Sequence, residues 1–216
     1  MCEECRASLR EATPPFCRTC GLPLPDIGHS EDRLCEACLR RPPAYETARA
    51  VYFYEGAALD AIHRFKYGGR AHLAQTLGPP LAALAGRTLP PDLKAVVMPV
   101  PLHPKRLRER GFNQSLLLAR HVAGLQGWRL DYRTLERSTN TPPQASLTRK
   151  ARRKNVRAAF GVKTTAGAMP QNVVLVDDVA TTGSTLNACS KALVRAGTGK
   201  VFCLVLARAA DRTIQA

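Results

Sequence analysis

Two neighbouring carboxylates, Asp177 and Asp178, end the apolar run VVLVDD and precede a loop of small and hydroxyl-bearing residues. The loop leads into a segment with the pattern of a helix, and it consists of Ala180, Thr181, Thr182, Gly183, Ser184 and Thr185. Backbone amides, hydroxyl groups and a helix N-terminus together form a cradle for phosphate. The carboxylates cannot bind that phosphate, so we expect them to bind a group attached to it: sugar hydroxyls, or the magnesium that accompanies a second phosphate cluster. These features together describe a phosphorylated ribose.

The simplest alternative for the same residues is an N-capped helix that follows an acidic turn. Two other phosphate-binding motifs are excluded, because neither the GxxxxGKS/T pattern of a P-loop nor the GxGxxG pattern of a dinucleotide fold occurs in the chain. In open parallel sheets, ligands bind beyond the carboxyl ends of the strands. The acid pair is predicted at such an end, which favours a ligand site.

Three cysteine pairs with CxxC spacing lie within the first 38 residues. Two of these pairs give the pattern C-x2-C-x14-C-x2-C, formed by Cys17, Cys20, Cys35 and Cys38. This spacing is typical of a structural zinc site; a catalytic metal or a redox pair is the alternative, but four thiolates leave no open coordination position. Cys2 and Cys5 lack a partner pair, so they are either spare or part of a second, incomplete zinc site.

The composition is that of a globular protein with a core of ordinary size, since 45% of the 216 residues are apolar and 23% are charged. We expect a Cys-rich zinc ribbon at residues 1–43 and one α/β domain at residues 44–216. No apolar run reaches roughly 18 residues and the start lacks a signal-peptide pattern, so no membrane insertion is expected. CxxC pairs suit metal binding in a reducing compartment, which favours the cytoplasm.

The net charge of +15 is distributed unevenly along the chain. Residues 1–43 hold six basic and seven acidic side chains, whereas residues 44–216 hold 26 and ten. The basic residues cluster in KRLRER, residues 105–110, and in RKARRKNVR, residues 149–157. Such clusters attract nucleic acid, acidic lipid or phosphorylated small molecules, and a merely solvated basic surface is the alternative.

Apolar periodicity predicts alternating strands and helices after Pro43. Strands are predicted at 48–54, at LKAVVMPVP up to about Pro99, at VVLVDD and at KVFCLVLAR, and helices at 59–67, 72–86, 113–125 and 184–197. The second helix is expected to break around Pro79 and Pro80. The alternation implies a mostly parallel sheet covered by helices, with Cys189 and Cys203 as small buried residues.

Several motifs together resemble known families. The apolar run, the acid pair and TTG-x-T are similar to the 5-phosphoribosyl 1-pyrophosphate (PRPP) motif of type I phosphoribosyltransferases. PVP at 99–101 resembles the pyrophosphate loop of that fold, and PPQASLTRKARRKNV resembles the mobile flap of the amidophosphoribosyltransferases, whose glutaminase domain is absent here. With the CxxC pairs, FKYGGR and PVPLHPKRLRERGFNQ, nearly the whole chain is similar to ComF-family proteins of the ComFC or GntX type.

The resemblance implies a type I phosphoribosyltransferase-like fold behind a zinc ribbon, with a flap at about 138–156. It assigns ribose hydroxyls and magnesium to the catalytic acids Asp177 and Asp178, and the 5-phosphate to residues 180–185. The pyrophosphate would be bound by Val100, Pro101, Leu102, His103, Lys105 and Arg106, and covered by Arg149, Arg153 and Lys154. The other basic residues of the two clusters are candidates for nucleic-acid contacts: Arg108, Arg110, Lys150, Arg152 and Arg157.

The implied function is that of a magnesium-dependent phosphoribosyltransferase in natural transformation, the uptake and handling of single-stranded DNA. No residue that selects the acceptor is evident, and neither is a general base. Four histidines are scattered along the chain: His63, His72, His103 and His121. His29 lies within the zinc loop, where four cysteines leave it without a necessary role.

A nucleic-acid-binding competence factor is the main alternative, with the PRPP pocket as a sensor or without a catalytic role. The excess of basic residues in the chain and the zinc ribbon favour contacts with DNA phosphates. Aromatic residues make up only 6% of the chain, which is low for a base-stacking surface. A purely structural protein is the third hypothesis. The resemblance further suggests a competence helicase or a DprA-like recombination-loading protein as partner.

Overall fold

The computed structural model describes residues 7–28, 33–137, 159–163 and 168–210. Cys2, Cys5, His29 and the predicted flap at about 138–156 lie outside these residues. The helices are α1 Glu36–Arg40, α2 Gly56–Tyr67, α3 Ala74–Thr88, α4 Pro104–Arg110, α5 Gln114–Gln126 and α6 Ser184–Arg195, with a 3-10 turn at Ala71–Leu73. The strands are β1 Thr47–Phe53, β2 Val96–Pro99, β3 Arg129–Leu130, β4 Leu135–Arg137, β5 Phe160–Val162, β6 Asn172–Ala180 and β7 Lys200–Arg208.

Five strands form one sheet in the order β1-β7-β6-β2-β3, and every neighbouring pair is parallel. The two longest strands, β6 and β7, lie side by side, and nearly all of their residues are buried. Parallel sheets are covered on both faces, which explains why these strands are continuous apolar runs without alternation. The predicted mostly parallel sheet flanked by helices is confirmed.

The two faces of the sheet belong to two apolar clusters. Val173 and Leu175 of β6 pack in the cluster that contains α6, whereas Val174 and Val176 pack in the cluster that contains α2, α3 and α5. Alternate side chains of a strand point to opposite faces, so one strand contributes to both cores. Cys189 and Cys203 are fully buried, as predicted.

Helix α3 continues through Pro79 and Pro80, so the predicted break is wrong. The two prolines remove two backbone donors from the helix. The buried side chains around them include Leu77, Leu81 and Leu84, which belong to the cluster shared with α5. Burial of this apolar face keeps the segment helical despite the missing hydrogen bonds.

The turn that carries Cys17 and Cys20 lies directly on strand β1. Ala48 N donates to Thr19 O at 2.7 Å. Gly21 has a φ of +65°, and a Cβ at this position would lie 2.5 Å from Ala48 O. Glycine therefore permits both the turn and the close approach of the two backbones. All four cysteines of the predicted site belong to the same buried cluster as Tyr45 and α6.

Two strands flank the segment in which the flap is predicted. Strand β4 pairs antiparallel with β5, and the register joins Arg137 to Phe160. The sequence patterns did not predict this pair. Among the helices of the described residues, none is both long and apolar enough to cross a membrane.

Candidate functional site

The loop between β6 and α6 forms a concave surface lined by residues 179–186. Strand β6 ends at Ala180, and α6 begins at Ser184 after Gly183, whose φ is +70°. This left-handed conformation favours glycine, and it turns the chain from the strand into the helix. Thr182 and Ser184 share a hydrogen bond of 2.7 Å between their hydroxyl groups. Small side chains, hydroxyls and the first turn of a 12-residue helix are thus brought together.

Asp177 lies inside strand β6 and not beyond its end, because β6 continues to Ala180. Its Oδ1 accepts hydrogen bonds from Ser115 Oγ at 2.8 Å and from Asp178 N at 2.9 Å. Burial and the negative charge of Asp178 raise the pKa of Asp177 to about 7, although Lys66 and Ser115 act in the opposite direction. A carboxylate with this pKa can change protonation near neutral pH.

Asp178 forms a buried ion pair with Lys66. Its Oδ2 lies 2.9 Å from Lys66 Nζ on α2, and Asp178 is only 3% exposed. Burial lowers the pKa of Lys66. The negative charge of Asp178 and the hydrogen bond to it raise that pKa by more than burial lowers it, so the pKa of Lys66 lies above its ordinary value. The two acids of the pair therefore have different partners, one on α5 and one on α2. Any ligand that binds the two carboxylates must compete with these contacts.

Sequence reasoning missed Lys66 and Ser115 as partners of the acids. Lys66 lies in FKYGGR, a motif that entered only through the family resemblance. Ser115 stands two residues after Asn113, the N-cap of α5, whose side chain accepts from Ser115 N. No local pattern links either residue to Asp177 or Asp178, because the contacts span 62 residues or more along the chain.

The candidate pyrophosphate loop lies at the same end of the sheet. Strand β2 pairs with β6, and Pro99 is in register with Val176. The loop then continues this pairing, since Val100 N donates to Val176 O at 2.8 Å. Asn113 Nδ2 donates to Val100 O at 3.1 Å and fixes the loop to the start of α5. Residues 100–103 and 180–185 therefore follow neighbouring strands at the carboxyl-terminal end of the sheet.

The basic side chains of α4 have different surroundings. His103 is the N-cap of α4, where its Nδ1 accepts from Lys105 N at 3.2 Å. Arg106 forms an ion pair with Glu109 at 3.4 Å. Lys105 and Arg108 are exposed. These two residues are available to an anionic ligand at the surface.

Arg110 at the end of α4 contacts other parts of the protein. Its Nη1 donates to Gln114 Oε1 at 2.6 Å, and its guanidinium lies 5.2 Å from the centre of the Tyr67 ring. The remaining basic candidates lie outside the described residues: Arg149, Lys150, Arg152, Arg153, Lys154 and Arg157.

The four cysteines of the CxxC pairs are buried and lie together. All four Sγ atoms are within 4.8 Å of one another, and Cys20 Sγ lies 3.6 Å from Cys35 Sγ. A tetrahedral zinc site with Zn–S bonds of about 2.3 Å requires Sγ–Sγ separations of about 3.8 Å. The side chains therefore fit a metal ion such as zinc, and they remain free thiols without a disulfide.

The thiols of this cluster also interact with one another and with a nearby cation. The hydrogen bond with Cys20 lowers the pKa of Cys17. The same hydrogen bond and burial raise the pKa of Cys20, and the positive charge of Arg208 opposes that rise. Arg208 Nη2 lies 3.8 Å from Cys20 Sγ. Sequence reasoning missed Arg208, which is the last residue of an apolar strand.

Curated proteins align with nearly the whole chain. "Competence protein F" of Haemophilus influenzae is 33% identical over 225 residues, covering 96% of this chain and 96% of that protein. "DNA utilization protein YhgH" of Salmonella typhi is 32% identical over 209 residues, covering 94% and 89%. The chain belongs to the ComF family. "Competence protein ComFC" of Bacillus subtilis is 30% identical over 200 residues, covering 91% of this chain and 79% of that ComF protein.

Solved structures that match cover about two thirds of the chain. A hypoxanthine phosphoribosyltransferase of Staphylococcus aureus is 12% identical, with a TM-score of 0.39 and coverage of 63% of this chain and 64% of that one. The protein TT1426 of Thermus thermophilus is 17% identical, with a TM-score of 0.38 and coverage of 64% and 84%. No protein-family profile matches the chain.

Proposed function

We propose that this ComF-family protein binds PRPP together with magnesium and transfers its phosphoribosyl group, as part of the handling of single-stranded DNA. One observation carries the proposal: the loops at 180–185 and 100–103 follow the neighbouring strands β6 and β2, and the acid pair lies within the last four residues of β6. In proteins with open parallel sheets, ligands bind at the carboxyl ends of the strands. The names of the curated relatives, which refer to competence and DNA utilization, support the process.

Different residues bind the different parts of PRPP. The amides and hydroxyls of residues 180–185 hold the 5-phosphate, and the loop at 100–103 with Lys105 holds the pyrophosphate. Magnesium, when bound, neutralises the departing pyrophosphate. Asp177 and Asp178 orient the ribose hydroxyls and supply negative charge next to C1 as it becomes positive. Positioning of both phosphate ends by separate loops then provides much of the rate enhancement.

The acids must exchange partners when the ligand binds. Before binding, Lys66 neutralises Asp178, and Ser115 donates to Asp177. A ribose hydroxyl or magnesium that binds Asp178 would have to replace the contact with Lys66. The ion pair therefore keeps the site folded and electrically balanced before the ligand arrives.

Calorimetric titration with PRPP, with and without magnesium, tests the proposal. Wild-type protein should bind PRPP in the presence of magnesium, and Asp177→Asn with Asp178→Asn should lose at least about tenfold in affinity, which corresponds to about 1.4 kcal/mol. Asp60→Asn, a change at an exposed acid of α2, is the matched control and should bind normally. Absence of binding by the wild type would refute the proposal.

Release of pyrophosphate distinguishes an enzyme from a sensor. Candidate acceptors, including free bases and single-stranded DNA, are added to protein saturated with PRPP and magnesium. Pyrophosphate formed with one acceptor identifies the transferase. Stabilisation by PRPP without release with any acceptor supports the second candidate, a DNA-binding competence factor that senses PRPP.

The second candidate function has its own observation, the exposed basic residues of α4. Lys105 and Arg108 are exposed, and they belong to a chain with a net charge of +15. Binding through DNA phosphates weakens steeply as salt rises. Single-stranded DNA should therefore bind with a salt dependence that decreases in Arg108→Ala. Binding that is insensitive to salt would contradict this function.

We further propose that the metal in the cysteine cluster is zinc and that its role is structural. Four buried thiolates occupy every position of a tetrahedral ion, which leaves no place for a substrate. The cytoplasm, where thiols stay reduced, is the compartment that suits this site.

A further inference from the structure

Arg208 is a buried cation between the cysteine cluster and the loop at 180–185. It is the last residue of β7 and is only 4% exposed. In the sheet it is in register with Ala180, where β6 ends, and Ala209 N donates to Ala180 O at 3.0 Å. On its other side, Tyr54 N donates to Arg208 O at 2.8 Å. The backbone of Arg208 is therefore fixed beside the start of the loop at 180–185.

The guanidinium of Arg208 lacks a carboxylate partner within the described residues. Its Nη2 contacts Cys20 Sγ at 3.8 Å, while its Nε and Nη1 are buried without a hydrogen-bond partner in the part of the chain that is described. A buried charge is strongly unfavourable unless an opposite charge compensates it. Four thiolates around a divalent zinc carry a net charge of about −2, which provides that compensation.

The other edge of the guanidinium faces the loop at Gly183. A Cβ at Gly183 would lie 3.6 Å from Arg208 Nη1 and 3.3 Å from Tyr45 Oη, so both polar groups lie directly behind the loop backbone. Tyr45 is 6% exposed and packs in the same cluster as the cysteines. The segment before it is tied to α6, because Ala44 N donates to Asn187 Oδ1 at 3.0 Å.

We propose that Arg208, with Tyr45, is a positioning residue that couples the zinc centre to the phosphate loop. Nη2 is held by the thiolate of Cys20, so Nη1 is directed at Gly183 and supports the loop in the conformation that receives phosphate. The identity of that phosphate as part of PRPP rests on the proposed function above. Because the cation lies between the zinc thiolates and the phosphate, it screens their repulsion. Coupling between two sites is reciprocal, so phosphate bound at the loop should change zinc affinity by the same factor as zinc changes phosphate affinity.

The zinc side of the coupling is measured as the rate of zinc release to a chelating dye. Full-length Arg208→Met should release zinc at least about fivefold faster than the wild type, because the thiolate of Cys20 loses a charge-assisted hydrogen bond. Arg208→Lys keeps the charge and should give an intermediate rate. Arg87→Met removes an exposed arginine of α3 and is the matched control. Unchanged release from Arg208→Met would overturn the inference.

The phosphate side is measured on protein loaded with cobalt in place of zinc. Addition of PRPP, or of inorganic phosphate as the simpler probe, should shift the thiolate-to-cobalt absorption bands in the wild type, because a phosphate near Arg208 withdraws positive charge from Cys20. The shift should be lost in Arg208→Met and retained in part in Arg208→Lys. A merely structural role of Arg208 would leave the shift intact.

Two controls keep the outcomes distinct. Where Arg208→Met fails to fold, Tyr45→Phe removes a single hydroxyl behind Gly183 and should reduce the spectral shift; an unchanged shift would count against the coupling. If wild-type protein does not bind PRPP, the proposed function fails, whereas the zinc-release rates still decide whether Arg208 compensates the metal centre. If PRPP binds and the cobalt bands do not move, the coupling alone is refuted.

Discussion

Lys66 Nζ lies 2.9 Å from Asp178 Oδ2, so a helix residue neutralises one of the two acids on the central strand. This contact joins α2 to β6 across a buried region, since the side chains are 19% and 5% exposed. Removal of one partner from a buried pair leaves an uncompensated charge, which destabilises a protein more than loss of both partners does.

Lys66→Met should therefore lower the free energy of unfolding by about 3 kcal/mol, the typical effect of breaking a buried ion pair. The double variant Lys66→Met with Asp178→Asn should regain most of that stability, because no unpaired carboxylate is left. Urea unfolding of both variants and of Asp178→Asn measures the difference. Strictly additive effects would show that the two side chains do not interact.

The stability of the protein without added ligand should depend on the protonation of Asp177. Its pKa is raised to about 7 by burial and by Asp178, whereas an unfolded aspartate titrates near about 3.9. The folded state therefore binds this proton more tightly than the unfolded state does. The contribution of the protonated Asp177 to the free energy of unfolding is fully present below about pH 4 and is lost as the pH rises through about 7. Unfolding at about pH 5.5 and about pH 8 should show lower stability at the higher pH, and Asp177→Asn should reduce that difference.

Binding of the proposed ligands, magnesium and PRPP, should have the opposite pH dependence, because a carboxylate binds magnesium in its ionised form. Affinity should rise as the pH passes through about 7, the pKa of this group. Ser115→Ala removes a donor to Asp177 Oδ1. Loss of a hydrogen bond to a charged group, about 1.5 kcal/mol, should move the midpoint upward by about one pH unit.

A matched control separates this effect from general damage to the core. Ser190 is also buried, and its hydroxyl donates to Leu186 O and not to Asp177. Ser190→Ala should leave the midpoint of the affinity profile unchanged. Equal shifts in both variants would mean that Ser115 acts through packing and not through its hydrogen bond.

Local sequence patterns predicted four of the five strands of the parallel sheet, but not β3 at its end. The runs that became β6 and β7 are apolar enough to fix parallel strands buried on both faces, and CxxC spacing fixes the cysteine cluster. The partners of the site residues were not accessible in this way. Lys66, Ser115 and Arg208 act through contacts across 62 to 188 residues of sequence, which only the tertiary fold creates.

Helix α3 shows the same limit for secondary structure. Pro79 and Pro80 predict a break because each lacks a backbone donor and each collides with the preceding turn. Burial of Leu77, Leu81 and Leu84 in the cluster with α5 overrides this local preference. Packing of an apolar face supplies most of the stability of a helix in a protein, and the sequence window alone does not contain it.

Metal content should depend on the four cysteines of the cluster and not on the other buried thiols. Cys17→Ser with Cys35→Ser removes one Sγ from each pair and should abolish stoichiometric zinc in metal analysis. Cys189→Ser changes a thiol that is equally buried but lies outside the set of four. It should keep its zinc. Zinc that persists in the double variant would place the metal elsewhere.

A comparison of Gly183 with Gly111 distinguishes the effect of backbone strain from the effect of crowding behind the loop at 180–185. Both have positive φ values, +70° and +81°, so alanine at either position should cost about 1 kcal/mol of stability. A Cβ at Gly183 meets Tyr45 Oη at 3.3 Å, whereas a Cβ at Gly111 meets nothing within 4 Å. Gly183→Ala should therefore also weaken PRPP binding by about tenfold or more, which is about 1.4 kcal/mol, while Gly111→Ala should bind normally. Titration with PRPP and urea unfolding of both variants measure the two effects; equal losses of affinity would show that strain alone, and not the contact with Tyr45, shapes the loop.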